Sequence, residues 1–111
     1  MSMKDKIQTL FHASEKMNES AMSLLRCLIL TILDYYKDGL QYRELKTVFQ
    51  ISDGKLAHNL TQLLEFNYIE KEKISFDNKQ LALYTLTSEG QKEIIKMSEW
   101  MRAVLEIINT E

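Results

Sequence analysis

The side chains best suited to recognition chemistry gather on one predicted helix. From Ser52 to Gln62 the sequence places Gly54, Lys55, His58, Asn59 and Thr61 between apolar residues at helical spacing. Leu56, Leu60, Leu63 and Leu64 form the apolar stripe, which leaves the polar residues on the outer faces. There a lysine reaches a phosphate or a guanine edge, and Asn59 and Gln62 can pair bidentately with adenine. His58 and Thr61 add further polar groups. A helix that starts after Ser52 also presents unpaired N–H groups and the positive end of its dipole, which suit a phosphate. Gly54 has no Cβ to hold another backbone away. A second set, Lys71, Lys73 and Lys79, lies in a β-like stretch and can neutralise phosphates. A solvated amphipathic surface would have the same composition.

Catalytic and metal chemistry find no comparable support. His12 and His58 stand 46 positions apart, with no carboxylate or cysteine at ligand spacing, so neither a metal nor a cofactor is expected. There is no phosphate-cradling glycine loop and no nucleophile elbow, and an enzyme is not expected. Cys27 is the single cysteine and lies in an apolar stretch, where a packed thiol is the simplest reading. Met17, Met22, Met97 and Met101 with Trp100 either line a pocket or fill a core. Whether a small-molecule effector exists is not legible.

Length and charge bound the rest. A chain of 111 residues is the size of one domain. With 14 basic and 16 acidic residues its net charge is −2, which excludes binding driven by bulk positive charge. Gln41 to Gln80 holds six Lys/Arg and six Asp/Glu, so that segment is neutral and any DNA affinity per monomer should be modest. The most apolar run ends at Asp34 and is too short to span a bilayer, and the N-terminus lacks an apolar signal region. No membrane partner and a cytoplasmic location are expected.

The elements that must hold these residues follow from periodicity and punctuation. There is no proline, and the three glycines are Gly39, Gly54 and Gly90. Residues 1–17 read as an N-terminal helical extension. A first core helix is predicted over 18–38, with Asn18 as N-cap, Met17 and Met22 as a hydrophobic staple, and Gly39 as a left-handed C′ residue. Residues 41–67 give a short helix bearing Leu45, Val48 and Phe49, an interruption, and the helix after Ser52, ending near Asn67. The period then changes from 3.6 to 2, predicting a two-stranded β-hairpin over 68–87 around Asp77-Asn78-Lys79. A long helix capped by Thr87 or Ser88 fills 88–109.

Three stretches carry a family resemblance: Ile51-Ser-Asp-Gly-Lys-Leu56, Leu63-Leu-Glu-Phe-Asn-Tyr-Ile69 and Tyr84-Thr-Leu-Thr-Ser-Glu-Gly90. In this order they resemble the core of prokaryotic winged helix-turn-helix transcriptional regulators. The likeness is to the small archaeal and bacterial kind near the MarR and ArsR families, over roughly residues 20 to 95. Two positions depart from the usual pattern: Gln50 and Asn67 stand where glycine is common. The resemblance implies an α+β, mainly helical winged-helix fold. It also implies that the helix after Ser52 enters the major groove while the hairpin touches adjacent backbone or minor groove. The ligand clusters of metal-sensing ArsR proteins are not present in the sequence.

The terminal segments supply a seam for a second copy. Ile94, Met97, Met101, Val104 and Ile108 follow an a/d spacing, and Ile7, Leu10 and Phe11 show a similar apolar surplus near the start. A homodimer built from these helices would present two reading helices to double-stranded DNA. The sequence is thus read as a sequence-specific DNA-binding transcriptional regulator. The alternative is a winged-helix protein–protein interaction module with no DNA role.

Overall fold

Capping chemistry sets the helix boundaries in the computed structural model, which describes residues 2–19 and 23–110. Ser2 caps α1 (Met3–Ser14), and Ser23 caps α2 (Leu24–Tyr35) by accepting from the Arg26 N–H at 3.2 Å. Strand β1 (Leu40–Gln41) leads directly into α3 (Tyr42–Phe49), where the Glu44 carboxylate accepts from the Gln41 N–H at 3.0 Å. Ser52 caps α4 (Asp53–Glu65) and Thr87 caps α5 (Ser88–Ile108), their hydroxyls accepting from the Lys55 and Gly90 N–H groups. Between α4 and α5 run β2 (Ile69–Phe76) and β3 (Lys79–Leu86). Each such cap satisfies an otherwise orphaned helix-end donor and contributes about 1 kcal/mol.

The antiparallel sheet has three strands in the order β1-β3-β2. The hairpin forms as the period of 2 predicted, but β1 adds a third strand, pairing Leu40 with Tyr84 and Gln41 with Leu83. Two residues are too few for a readable alternation, and that is why the strand is invisible in the sequence. Asp77 and Asn78 both have positive φ, 53° and 60°, as the tight type I′ hairpin turn needs. Gln50 adopts φ 50°, ψ 44° between α3 and α4, and Asn67 has φ 62° after α4. Both departures from glycine therefore take the left-handed conformation that glycine would have supplied.

The first core helix differs most from expectation. It starts after Ser23 rather than at Asn18, and it ends at Tyr35, short of residue 38. The Asn18 N–H donates to Glu93 Oε1 at 3.0 Å and its side-chain amide to the Tyr68 hydroxyl at 3.3 Å. The expected staple involves Met22, which lies outside the described residues. Gly39, with φ +94°, is not the helix C′ residue. It closes a turn from Tyr36 into β1, its N–H donating to the Tyr36 carbonyl at 2.9 Å, where a Cβ would press on Thr85 and the Tyr84 carbonyl.

Ile29, Leu30 and Leu33 of α2, Leu40 of β1, Leu45 of α3, Leu56, Leu60 and Leu63 of α4, Ile69, Tyr84 and Met97 make the core. The apolar stripe predicted for α4 is thus the buried one, whereas Val48 of α3 faces outward. No residue of α1 is buried, and none of α5 beyond Met97 is. These two helices lie antiparallel: Leu10 neighbours Trp100 and Ala103, and Lys6 neighbours Glu106 and Thr110. The pair extends from the core, giving a long axis of 62 Å against 26 and 21 Å.

Gly90 fixes where α5 begins. A methyl group there would collide with the Tyr68 carbonyl oxygen, a backbone atom that cannot step aside, and would meet Leu86 Cδ1 at 2.7 Å. Gly54 has open space around the position of a Cβ. We expect Gly90→Ala to lower unfolding stability by about 1–3 kcal/mol. Gly54→Ala, in a compatible helical position, should raise it by about 0.4–1 kcal/mol. Urea denaturation of both variants checks the pair, and equal effects would contradict the packing described.

Candidate nucleic-acid interface

Exposure sorts the polar residues of α4 into two groups. Lys55, His58 and Thr61 are exposed together with Ser52 and Gly54, and Gln62 is half-buried. Asn59 does not join them. It is only 9% exposed, accepting from Arg26 Nε at 2.8 Å and donating to the Lys55 carbonyl at 2.7 Å. Its expected base-reading role is corrected: the amide ties the middle of α4 to the first turn of α2. Its spacing held that information, since Asn59 lies three residues after Leu56 and four before Leu63, within the buried stripe. Arg26, a charge in the most apolar stretch of the chain, was the other signal.

The start of α4 is held by a polar brace that residue types alone did not reveal. The Asp53 carboxylate accepts from Lys46 Nζ at 2.9 Å and from the Tyr42 hydroxyl at 3.0 Å, joining the first and second turns of α3 to the first turn of α4. The Lys46 hydrogen bond comes first among the causes that hold the Asp53 carboxyl below its ordinary range, with Tyr42 adding to it. Desolvation, then the Asp53 bond, pushes the Tyr42 hydroxyl up, so it stays a donor at neutral pH. A carboxylate with a depressed pKa favours the folded arrangement above its ordinary value and loses that contribution as pH falls through the lowered one. The brace is therefore complete at neutral pH. Lys46 also offsets a negative charge at the helix end that a phosphate would otherwise meet.

Ser52 is primarily a cap, since its oxygen takes the Lys55 N–H. Its hydroxyl hydrogen stays available as a donor beside the open surface at Gly54. In the hairpin, Lys71, Lys73 and Lys79 are all exposed. Strand alternation and the register place Lys71 and Lys73 on the face that carries Ile69 and Tyr84, and Lys79 on the other, opposite Phe76. Lys71 lies over the Tyr84 ring, its Nζ 5.8 Å from the centroid, so it is the most restrained of the three. The exposed side chains thus fall into two sets, one on α4 and one on the hairpin that follows it through β2.

The exit of α4 is bonded to α5. Thr87 donates its N–H to the Tyr68 carbonyl at 3.0 Å and its hydroxyl to the Asn67 carbonyl at 2.6 Å. Further along, the Tyr68 hydroxyl donates to Glu93 Oε1 at 3.2 Å. Burial first of all raises the Tyr68 pKa, which keeps it a donor. Glu93 is 4% exposed. Among the described residues its Oε2 has no hydrogen-bond partner, and Lys96 Nζ lies 4.0 Å away.

The terminal residues proposed as a seam separate as well. Met97 is buried in the core of its own domain and Ile94 packs against that core, so neither supplies a free surface. Leu10 is half-buried, and its carbonyl accepts from Trp100 Nε1 at 2.8 Å. Ile7, Phe11, Met101 and Ile108 are exposed, joined by Met3 and Leu105, while Val104 is half-buried. Helical spacing puts Met3, Ile7 and Phe11 on one face of α1, and Met101, Leu105 and Ile108 on one face of α5. Of the methionines considered for a pocket, Met17 does line one. A cavity of about 470 Å³ lies between α1 and α5, bounded by Met17, Leu10 and Trp100 with Lys16, Lys96 and Glu99 at its polar edge. No cluster of metal-ligating side chains occurs among the described residues, and none of their helices is long and apolar enough to cross a membrane.

Comparison with known proteins bears on the fold and the family. The mutant MepR of S. aureus, solved bound to an oligodeoxyribonucleotide, superposes with a TM-score of 0.70 at 15% identity, over 95% of this chain and 74% of that one. A transcriptional regulator homologue from Pyrococcus horikoshii OT3 matches with 0.72 at 13% identity, covering 96% of this chain and 99% of the other. The PcaV transcriptional regulator from Streptomyces coelicolor, in complex with its natural ligand, gives 0.60 at 16% identity over 93% and 74%. At these identities the likeness shows a common fold. No curated protein matches in sequence. The family model for the winged helix DNA-binding domain matches residues 25–105, from the second residue of α2 to the distal part of α5. The chain belongs to the winged helix DNA-binding domain family.

Proposed function

We propose that this chain is a sequence-specific regulator of transcription that binds double-stranded DNA as a homodimer. The observation that carries the reading is the exposed face of α4. Gly54, Lys55, His58 and Thr61 stand free at and beyond its N-terminal end, while Leu56, Leu60 and Leu63 bury the opposite stripe. In the major groove Lys55 would reach phosphate or guanine, and Gln62, His58 and Thr61 would meet base edges. Lys71, Lys73 and Lys79 would pair with flanking phosphates.

The apolar side of the α1/α5 pair supports the homodimer. Met3, Ile7 and Phe11 of α1 and Met101, Leu105 and Ile108 of α5 are exposed apolar side chains that two copies would bury in a four-helix arrangement. A two-fold axis there would set two α4 helices on half-sites one helical turn apart, or a multiple of it. The near-neutral α3–wing segment makes the second copy important, because each monomer has few phosphate partners. A second reading, a protein–protein interaction module, is favoured by the groove between α2 and α3. Leu28, Ile32, Tyr35, Tyr36, Val48 and Phe49 line it, and Leu24 beyond it is 83% exposed.

Electrophoretic mobility shift on random and promoter DNA, at low and physiological salt, separates the readings. Retardation that weakens with salt supports regulation, and no retardation at low salt favours the interaction module. Lys55→Ala and Lys79→Ala should each flatten the plot of log affinity against log salt, by about one unit of slope. Unchanged slopes for both would remove these residues from the interface. Asn59→Ala should leave that slope intact and destabilise the fold by about 1–3 kcal/mol, since it strips a partner from half-buried Arg26. Light scattering after size exclusion should give a dimer, and Ile7→Glu with Leu105→Glu a monomer. A monomeric parent at micromolar concentration would contradict the seam.

A further inference from the structure

The tip of the wing carries an aromatic side chain with nothing in the fold to bury it. Phe76 is 68% exposed and is the last residue of β2, immediately before the Asp77-Asn78 turn. Exposed phenylalanine is costly at a hairpin end, where a turn needs only polar residues. Directly across the ladder stands Lys79, and on the opposite face of the hairpin, three residues back, stands Lys73. Cations therefore flank the tip on both faces. A flat protein surface would meet only one face at a time, whereas a groove with two phosphate walls meets both.

We infer that Phe76 is a minor-groove wedge. Seated at the tip, it enters between two base pairs, while Lys73 and Lys79 grip the phosphates of the two walls. The inference rests on the DNA-binding reading above and adds a residue and a mode of recognition to it. The minor groove is about 6 Å wide. Paired strands alone are about 4.8 Å apart before side chains are counted. Only the tip can enter, and it must open the groove, which an apolar wedge does by partly unstacking a step and kinking the duplex.

Of the acidic residues nearby, one stands clear of the ring and the other is set by the turn. Glu72 shares the Phe76 face but lies four residues down the strand, about 13 Å away. Asp77 is in the turn itself, where two positive φ values call for Asp, Asn or Gly. Ile74 and Leu81 pair one step behind Phe76 on the same face of the hairpin. Flexible pyrimidine–purine steps, TA and CA/TG, unstack most readily, so the wedge reads sequence through deformability rather than hydrogen bonds.

The test uses the full chain and a duplex selected on it from random DNA, with 2-aminopurine at successive positions. Bound to the parent protein, the probe should brighten at a flexible step outside each α4 contact. Phe76→Ser should abolish the brightening and weaken binding about tenfold with the salt slope unchanged. Phe76→Leu, still apolar, should retain most of both. An exposed position tolerates either change, and circular dichroism verifies folding. If the duplex binds without brightening, or Phe76→Ser binds and brightens like the parent, the wedge is wrong and the DNA reading stands. If no duplex is selected or retarded at low salt, both fall together.

Discussion

The bond between the exit of α4 and the first turn of α5 is the constraint on which the rest of this structure depends. Gly90 lets α5 lie against the Tyr68 carbonyl, and Thr87 anchors both Asn67 and Tyr68 through its side chain and backbone. Asn67 supplies the left-handed residue that turns the chain there. One turn along α5, Glu93 takes the Tyr68 hydroxyl and the Asn18 N–H. Four segments thus meet at one polar joint: the helix that would read DNA, the root of the wing, the stretch after α1, and the long helix that would meet a second copy. Rotation of α5 cannot leave α4 unmoved without breaking these bonds.

At its other end α4 is fixed by a different set of forces. The Asp53–Lys46–Tyr42 brace sets its start against α3, and the Asn59–Arg26 pair sets its middle against α2. The buried leucines provide most of the free energy, but they are non-directional and would tolerate a slide or a roll. The polar contacts choose one position. Pre-orientation of this kind matters for a protein without a basic surplus, because binding then draws less on bulk charge and more on geometry at a few contacts. The lysines near the wing tip and Lys55 are placed on separate elements, and the fold fixes the distance between them.

Much of this was legible in the sequence, and the illegible parts share a cause. The leucine stripe of α4, the hairpin, the Thr87 cap and the left-handed Asn67 follow from local period and local stereochemistry, which the chain states directly. Gln50 shows that a left-handed turn can persist without glycine when both flanking helices are fixed. By contrast, β1 exists only because β3 lies beside it. Asn18 is bonded through its N–H and its amide to Glu93 and Tyr68, which are 75 and 50 residues distant. Asn59 looked like a surface reader until Arg26, 33 residues earlier, claimed its oxygen. Met97 fitted a heptad seam, yet the core takes it, because one regular stripe serves the domain interior first and the projecting surface afterwards. Long-range polar pairing is the information that periodicity does not carry.

In the proposed complex the face of α4 and the tip of the wing meet DNA together, held in register by the joint at Tyr68. Amide chemical-shift mapping of the isotope-labelled full chain, titrated with a selected duplex, tests this most directly. Shifts are expected at Gly54, Lys55, His58, Thr61 and Gln62 together with Lys73, Phe76 and Lys79, while the α2–α3 groove stays silent. Shifts confined to Leu28, Tyr35 and Val48, or no shifts at all at low salt, would contradict it.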